Sequence, residues 1–241
     1  MKIIISGYGR MGREVETIAL KRGHQVLAKI DRPNEWELFD RFQSQADVVI
    51  DFSQPEVVVD NLKRCFEAGI PVITGTTGWY GKLEEVTQVC KAQEGSLFYA
   101  PNFSIGVNIF FRANQHLAKL MSGVEGYSVK IEETHHIHKL DAPSGTAIKT
   151  ADGIISQNPN ISKWVNDVSD EPSELSIISK REGEVTGTHE VVYDSEVDVI
   201  SLKHEAKNRS GFALGAVLAA EFILGKQGVY TMDDLLKMTE K

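Results

Sequence analysis

Lys2-Ile3-Ile4-Ile5-Ser6-Gly7-Tyr8-Gly9-Arg10-Met11-Gly12, at the head of a 241-residue chain, decides the fold. Three consecutive isoleucines read as a strand buried on both faces, the glycines as a turn, and residues 11–22 as a helix with Val15, Ile18 and Ala19 on one face. Gly23 ends that helix, and a second strand over 25–30 closes on Asp31. The Gly-x-Gly-x-x-Gly therefore lies between strand and helix with an acid about twenty residues further on, the context in which the motif points to a dinucleotide. In that reading Gly7 permits the tight turn, Gly9 lets the backbone approach a pyrophosphate, Gly12 allows close helix packing and Asp31 accepts from a ribose hydroxyl. The plainer alternative is a glycine turn that only packs helix on strand. Arg32 suits a 2′-phosphate where Asp31 suits a free ribose, so NADH and NADPH both stay open as cofactors.

Outward from this unit the alternation of strand and helix continues. Residues 47–51 form an apolar strand, Ser53-Gln54-Pro55 starts a helix running to 68, and 71–74 form a strand that ends in Gly75-Thr76-Thr77-Gly78. A helix over 80–93 leads to a strand over 97–100. This predicts an α/β fold with a doubly wound, Rossmann-like parallel sheet. Ligands of such sheets bind beyond the carboxyl ends of the strands, which makes Gly75, Thr76 and Thr77, and the Ala100-Pro101-Asn102-Phe103 stretch, further cofactor candidates. A helix-capping turn and an ordinary loop are the alternatives.

After a helix over 105–121 the character changes. Strands at 127–135, 174–182, 183–195 and 197–205, with one helix over 145–156, read as a central α+β domain with an open mixed, largely antiparallel sheet. One face of such a sheet needs cover, so self-association is expected. The helix opening at Arg209 carries small residues at spacings of three and four and is expected to return to the first domain. The predicted division is 1–104 with 209–241, and 105–208.

The chemistry concentrates in His135-His136-Ile137-His138-Lys139-Leu140-Asp141-Ala142-Pro143-Ser144-Gly145-Thr146-Ala147. Alternation along the strand sends His135 and His136 to opposite faces, and continued extension to Pro143 would put His136 and His138 on one. Ser144 is a good N-cap, but Ala147 stands where a capping box needs Glu or Gln, so the first-turn amides are expected to remain free. Free amides at a positive helix end, beside His135, His136 and Lys139, suit a small polyanion. A histidine with an ordinary pKa of about 6.5 can supply a proton at working pH. A zinc site is one rival reading, weakened because neighbouring strand histidines cannot both face one ion; a solvated loop is the other. No metal is expected.

Composition narrows the field. The chain is 41% hydrophobic and 25% charged with a net charge of −8, ordinary for a soluble globule and unfavourable for a nucleic-acid partner. The two cysteines, Cys65 and Cys90, sit among apolar neighbours and read as buried thiols of a reducing cytoplasm. No stretch has the length of a signal core or a membrane span, so no membrane association is expected.

GYGRMG, GTTG, APNFSIGVN, EETHHIHKLDAPSGTA and HEAKNRSGFALGA, in that order, closely resemble the 4-hydroxy-tetrahydrodipicolinate reductase (dihydrodipicolinate reductase) family over most of the chain. The resemblance implies reduction of 4-hydroxy-tetrahydrodipicolinate, with loss of water, by NADH or NADPH in lysine and diaminopimelate biosynthesis. It also implies a dinucleotide-binding domain completed by the last helices, a central substrate and oligomerisation domain, and a homotetramer. By position, His135 resembles the family's proton donor/acceptor and Lys139 its proton donor. His136, Gly145 and Thr146 resemble contacts to the substrate's carboxylates. Gly7, Tyr8, Gly9, Arg10, Met11, Gly12, Asp31, Arg32, Gly75, Thr76, Thr77, Ala100, Pro101, Asn102 and Phe103 fall on cofactor positions. The glycine motif here is one residue shorter than the Gly-x-x-Gly-x-x-Gly of many members. Rival functions are another amino- or imino-acid dehydrogenase, such as an aspartate dehydrogenase, which DAPSGTA argues against, and a nucleotide sensor without turnover.

Overall fold

The structure, a computed structural model, describes residues 1–237, so the last four residues of the expected first domain lie outside it. The chain divides into two compact units, Met1–Ile105 with Ser210–Lys241, and Gly106–Arg209.

The first unit alternates β1 (Lys2–Ser6), α1 (Arg10–Lys21), β2 (Gln25–Ile30), α2 (Trp36–Phe42), β3 (Val48–Asp51), α3 (Val58–Glu67), β4 (Val72–Thr74), α4 (Leu83–Ala92) and β5 (Ser96–Tyr99). Its sheet has six strands, all parallel, in the order β11-β5-β4-β3-β1-β2, where β11 is Gly228–Tyr230 near the carboxyl end. Isoleucine and valine runs form these strands because both faces are covered. Ile3, Ile5, Val48, Ile50 and Phe98 point to one helical layer, while Ile4, Val49, Val72 and Leu97 point to the other. Each fully buried isoleucine contributes roughly 2–3 kcal/mol. The first layer contains α1 and, after the second unit, α7 (Ser210–Ile223) and α8 (Met232–Lys237). The small residues of α7 serve close approach: a methyl on Gly215 would overlap the carbonyl oxygen of Phe103. Neither α2 nor β11 was expected, the first being seven residues without a clear stripe and the second only three residues long.

The second unit contains most of α5 (Ile105–Met121), then β6 (Ser128–His135), α6 (Gly145–Ile155), β7 (Lys163–Val165), β8 (Glu174–Arg181), β9 (Thr188–Asp194) and β10 (Val199–Glu205). Its sheet runs β10-β9-β6-β8-β7. It is mixed and not largely antiparallel: β10–β9 and β9–β6 are antiparallel, β6–β8 and β8–β7 parallel. The α6 crossover returns the chain in the direction of β6 for β7, and residues 166–173 carry it back so that β8 enters between them parallel to both. Ile131, Ile177, Val191 and Tyr193 pack beneath Phe110, Ala147 and Ile154 on the covered face. The opposite face carries ion pairs such as Lys130–Glu132 and Lys180–Glu132.

Candidate functional site

In the first unit the strand order reverses between β1 and β3, the switch point at which ligands of open parallel sheets bind. The loops leaving β1, β3 and β4 enclose a cavity of about 360 Å³ lined by Gly9, Arg10, Met11, Phe52, Ser53, Gly75, Thr76 and Thr77. A second cavity of about 580 Å³ includes Gly7, Gly9, Asp31, Arg32, Trp36 and Arg64. The three motif glycines separate by role. Gly7 has φ +84° and a methyl there would overlap the Phe52 carbonyl; a methyl on Gly12 would overlap the Gly7 carbonyl. Gly9 has no protein atom within 4 Å of where its Cβ would lie. The space there is a cradle that a side chain would fill, and it fits a phosphate approaching the start of α1.

Asp31 accepts the Tyr8 amide through Oδ1 at 3.0 Å, leaving its other oxygen for a hydroxyl. Arg32 and Arg64 both line the larger cavity, and Arg64 stacks over the Trp36 ring at 5.1 Å. Sequence reasoning missed Arg64, which lies in α3, more than thirty positions from the glycine turn. Tyr8 contributes no side chain to either cavity: its hydroxyl bonds Glu16 and its ring lies under Arg13 and Lys29. Neither cavity is lined by Ala100, Pro101, Asn102 or Phe103. Ala100 and Phe103 are buried, with Phe103 stacked on Phe98, and Asn102 Oδ1 caps the Ser104 amide at 2.8 Å.

Asp51, wholly buried at the end of β3, ties the loops together. It accepts from Ser6 Oγ at 2.7 Å, Ser53 Oγ at 2.9 Å, Asn61 Nδ2 at 3.1 Å and Thr76 Oγ1 at 2.9 Å. The Thr76 hydroxyl is thus committed within the protein, while Thr77 is exposed at the cavity.

In the second unit the histidine stretch bends earlier than expected. The extended run stops at His135, and residues 136–139 form a turn in which the Lys139 amide donates to His136 O at 3.1 Å. The His136 and His138 rings nevertheless sit 6.2 Å apart. Lys139 Nζ is clasped by both oxygens of Asp141, at 2.7 and 2.8 Å. Arg181, at the end of β8, reaches the carbonyls of Lys139 and Asp141 and so straps this loop to the sheet.

Ser144 caps α6, its Oγ accepting from the Ala147 amide at 3.2 Å. The reciprocal half of the capping box is present after all, supplied from another element: Glu133 Oε1 accepts the Ser144 amide at 3.0 Å. The expectation of wholly free first-turn amides is therefore corrected. Those of Gly145 and Thr146 have no partner among the described residues, and that of Ala147 is taken.

Glu133 has no accessible surface. Strand register sets Ser179 on β8 and His189 on β9 directly opposite it. Oε1 accepts from Ser179 Oγ at 2.8 Å and from Arg181 at 3.3 Å besides Ser144, whereas Oε2 faces His135 Nδ1 at 3.4 Å and His189 Nε2 at 3.6 Å. Burial alone would raise its pKa; polar contacts from His189, Ser144 and Ser179 together outweigh that and hold the carboxyl well below the usual carboxylate range. His135 goes the other way from the sequence expectation. Burial lowers its pKa to about 4, against the pull of Glu133, and the nearby His189, Lys139 and Arg181 add to the lowering. The imidazole is neutral at neutral pH.

Donor atoms of Glu133, His135 and His189 lie within 4.8 Å of one another, a group that a metal ion would fit by distance. The reading that expected no metal weighed only the histidines of one strand, and the third donor arrives from β9. Arg181 against Glu133, and Lys139 near His135, weigh electrostatically against a further cation there.

Comparison with known proteins places this geometry. The dihydrodipicolinate reductase family models match in two parts, the N-terminal one over residues 1–103 and the C-terminal one over 106–236. A 4-hydroxy-tetrahydrodipicolinate reductase of Christiangramia forsetii is 48% identical, with 98% of each chain covered. One from Neisseria meningitidis serogroup C is 34% identical, covering 100% of this chain and 99% of its own. Among solved structures, a dipicolinate-bound dihydrodipicolinate reductase from Paenisporosarcina sp. TG-14 superposes with a TM-score of 0.79 at 22% identity, covering 96% of this chain and 97% of that one, and so shares the fold. With both halves matched and close relatives aligned from end to end, the chain belongs to the dihydrodipicolinate reductase family.

Proposed function

We propose that the protein reduces 4-hydroxy-tetrahydrodipicolinate, by way of dihydrodipicolinate and with loss of water, to tetrahydrodipicolinate in lysine and diaminopimelate biosynthesis. A nicotinamide dinucleotide supplies the hydride when bound. The glycine turn and Asp31 hold its pyrophosphate and adenosine ribose, with Arg10, Met11 and Gly75 to Thr77 lining the approach. Ala100 to Phe103 line neither cavity, and their cofactor role rests on the family resemblance alone. Arg32 and Arg64 in the larger cavity have the charge to hold a 2′-phosphate, which supports use of NADPH as well as NADH.

The observation that carries the substrate reading is the mouth of α6, where two uncommitted amides stand at the positive end of an eleven-residue helix that begins six residues after Lys139. Gly145, Thr146 and His136 hold the carboxylates of a small heterocyclic dicarboxylate. Fixing both carboxylates against cations draws electrons from the conjugated imine and makes the ring a better hydride acceptor. His135 handles the proton. Its neutral resting state suits this role once two negative charges arrive, because they raise its pKa from the lowered value. Lys139 exchanges Asp141 for the substrate and acts as the proton donor that the resemblance implies.

The open face of the second sheet supports self-association, and the family resemblance implies that the assembly is a homotetramer, checked by sedimentation at four times the chain mass. Buried free Cys65 and Cys90 support work in a reducing cytoplasm. The activity is tested by mixing the protein with the condensation product of pyruvate and aspartate semialdehyde and following nicotinamide absorbance with NADH and with NADPH. Consumption of either is expected. Cofactor binding without consumption would instead indicate a nucleotide sensor.

A further inference from the structure

Glu133 stands outside the residues to which the family resemblance points, yet every strand of the site converges on it. Its two oxygens are used differently. Oε1 takes three donors, from the Ser144 amide, the Ser179 hydroxyl and Arg181, and these fix the plane of the carboxylate. Oε2 is buried without a hydrogen-bond partner, and so is His135 Nδ1, 3.4 Å away, with His189 Nε2 slightly further at 3.6 Å. A carboxylate oxygen can only accept, so an imidazole nitrogen turned towards it is stabilised as N–H and destabilised as a lone pair. The separation is long for a hydrogen bond, as catalytic contacts are before substrate binds. The other ring nitrogen lies against Gly187, where a Cβ would come within 3.0 Å of Nε2 and crowd it.

We propose that Glu133 is a positioning residue that holds His135 in the Nδ1–H tautomer, so that Nε2 is the atom exchanging a proton with the substrate. Nε2 takes a proton from solvent and passes it on, while Glu133 stays ionised and steadies the imidazolium that forms in between. The logic is that of a buried acid behind a catalytic histidine, where loss of the negative charge turns the ring to its wrong tautomer. It rests on the reading of His135 as the group that handles the proton.

Glu133→Gln makes the test, because its amide oxygen can keep the three donors while its NH2 faces Nδ1 and must donate to it. Two-bond ¹H–¹⁵N spectra of histidine-labelled protein, with the His135 signals identified by their loss in His135→Gln, are expected to show Nδ1–H in the wild type and Nε2–H in Glu133→Gln. Turnover is expected to fall on the order of 100-fold, with cofactor KM within about 2-fold of wild type. An Nε2–H tautomer in the wild type, or a folded Glu133→Gln with wild-type turnover, overturns the proposal; should Glu133→Gln not fold, the wild-type spectrum decides alone. Full activity in His135→Gln would sink the reading of His135 itself, and leaves the tautomer assignment to be judged by the spectrum.

Discussion

Gly7 and Gly9 stand two positions apart, and the same substitution should do opposite things at each. Gly7 combines φ +84° with a carbonyl where a methyl would go, so Gly7→Ala should lower the melting temperature and distort the loop leaving β3. Gly9 meets no protein atom and has a negative φ of −78°, with ψ −149° just past the extended region. Gly9→Ala should therefore melt within about 1 °C of wild type while weakening nicotinamide dinucleotide binding by on the order of 10-fold or more. Fluorescence titration beside a thermal melt checks both. The motif was legible in sequence, and so were the tight turn at Gly7 and the close packing at Gly12, because these follow from local backbone geometry. The protonation of His135 was not legible. Its lowered pKa comes first from burial and then from His189 on β9, Lys139 in the adjoining turn and Arg181 on β8, and of these only Lys139 is near in sequence.

Among the elements, α6 shows most plainly how local rules were completed from a distance. Ser144 caps it as its type predicts, but the acid that closes the box is eleven positions upstream on β6. Removing the hydroxyl in Ser144→Ala should cost about 1 kcal/mol, a fall in melting temperature of about 2–4 °C that calorimetry would resolve. The loss should be coupled to any change at His189, whose Nε2 lies 3.1 Å from Ser144 Oγ. Long, strongly patterned elements were legible; α2, β7 and β11 were not. At three to seven residues they carry too few periods to separate from loop, and they exist because a neighbouring strand or helix offers them a partner. The parallel pairs of the second sheet likewise depend on where α6 returns the chain.

For the whole molecule, the two units divide labour in a way that kinetics can read. His135→Ala and Lys139→Ala lie in Gly106–Arg209, and the glycine turn lies in the other unit. Both variants should lower turnover far more than cofactor affinity, measured by steady-state rates against direct cofactor titration; equal loss of both would indicate a folding defect. Stability should also track His135. The folded chain keeps this imidazole neutral down to about pH 4, whereas the unfolded chain protonates it near its ordinary value of 6.5. Between those values the unfolded state binds more protons, so the contribution is complete above about pH 6.5 and is lost as the pH falls through the folded pKa near 4. Melting temperatures should therefore drop between pH 6.5 and 4 more steeply in the wild type than in His135→Gln. Glu133, also held ionised by the fold, adds a loss of the same sign at lower pH that both proteins share.

The amino-acid sequence by itself determined the parallel α/β unit, the glycine turn with Asp31, the change of character after α5 and the stretch in which His135, Lys139, Gly145 and Thr146 gather. Each of these rests on spacing along one segment, and spacing is local. Only the tertiary structure decided that Glu133, Ser179 and His189 form a row across three strands, that Arg64 joins Arg32 at one cavity and that Asp51 knots three loops. Those groupings follow from strand register and helix return, which bring distant residues within hydrogen-bonding reach and are set by how the whole core packs.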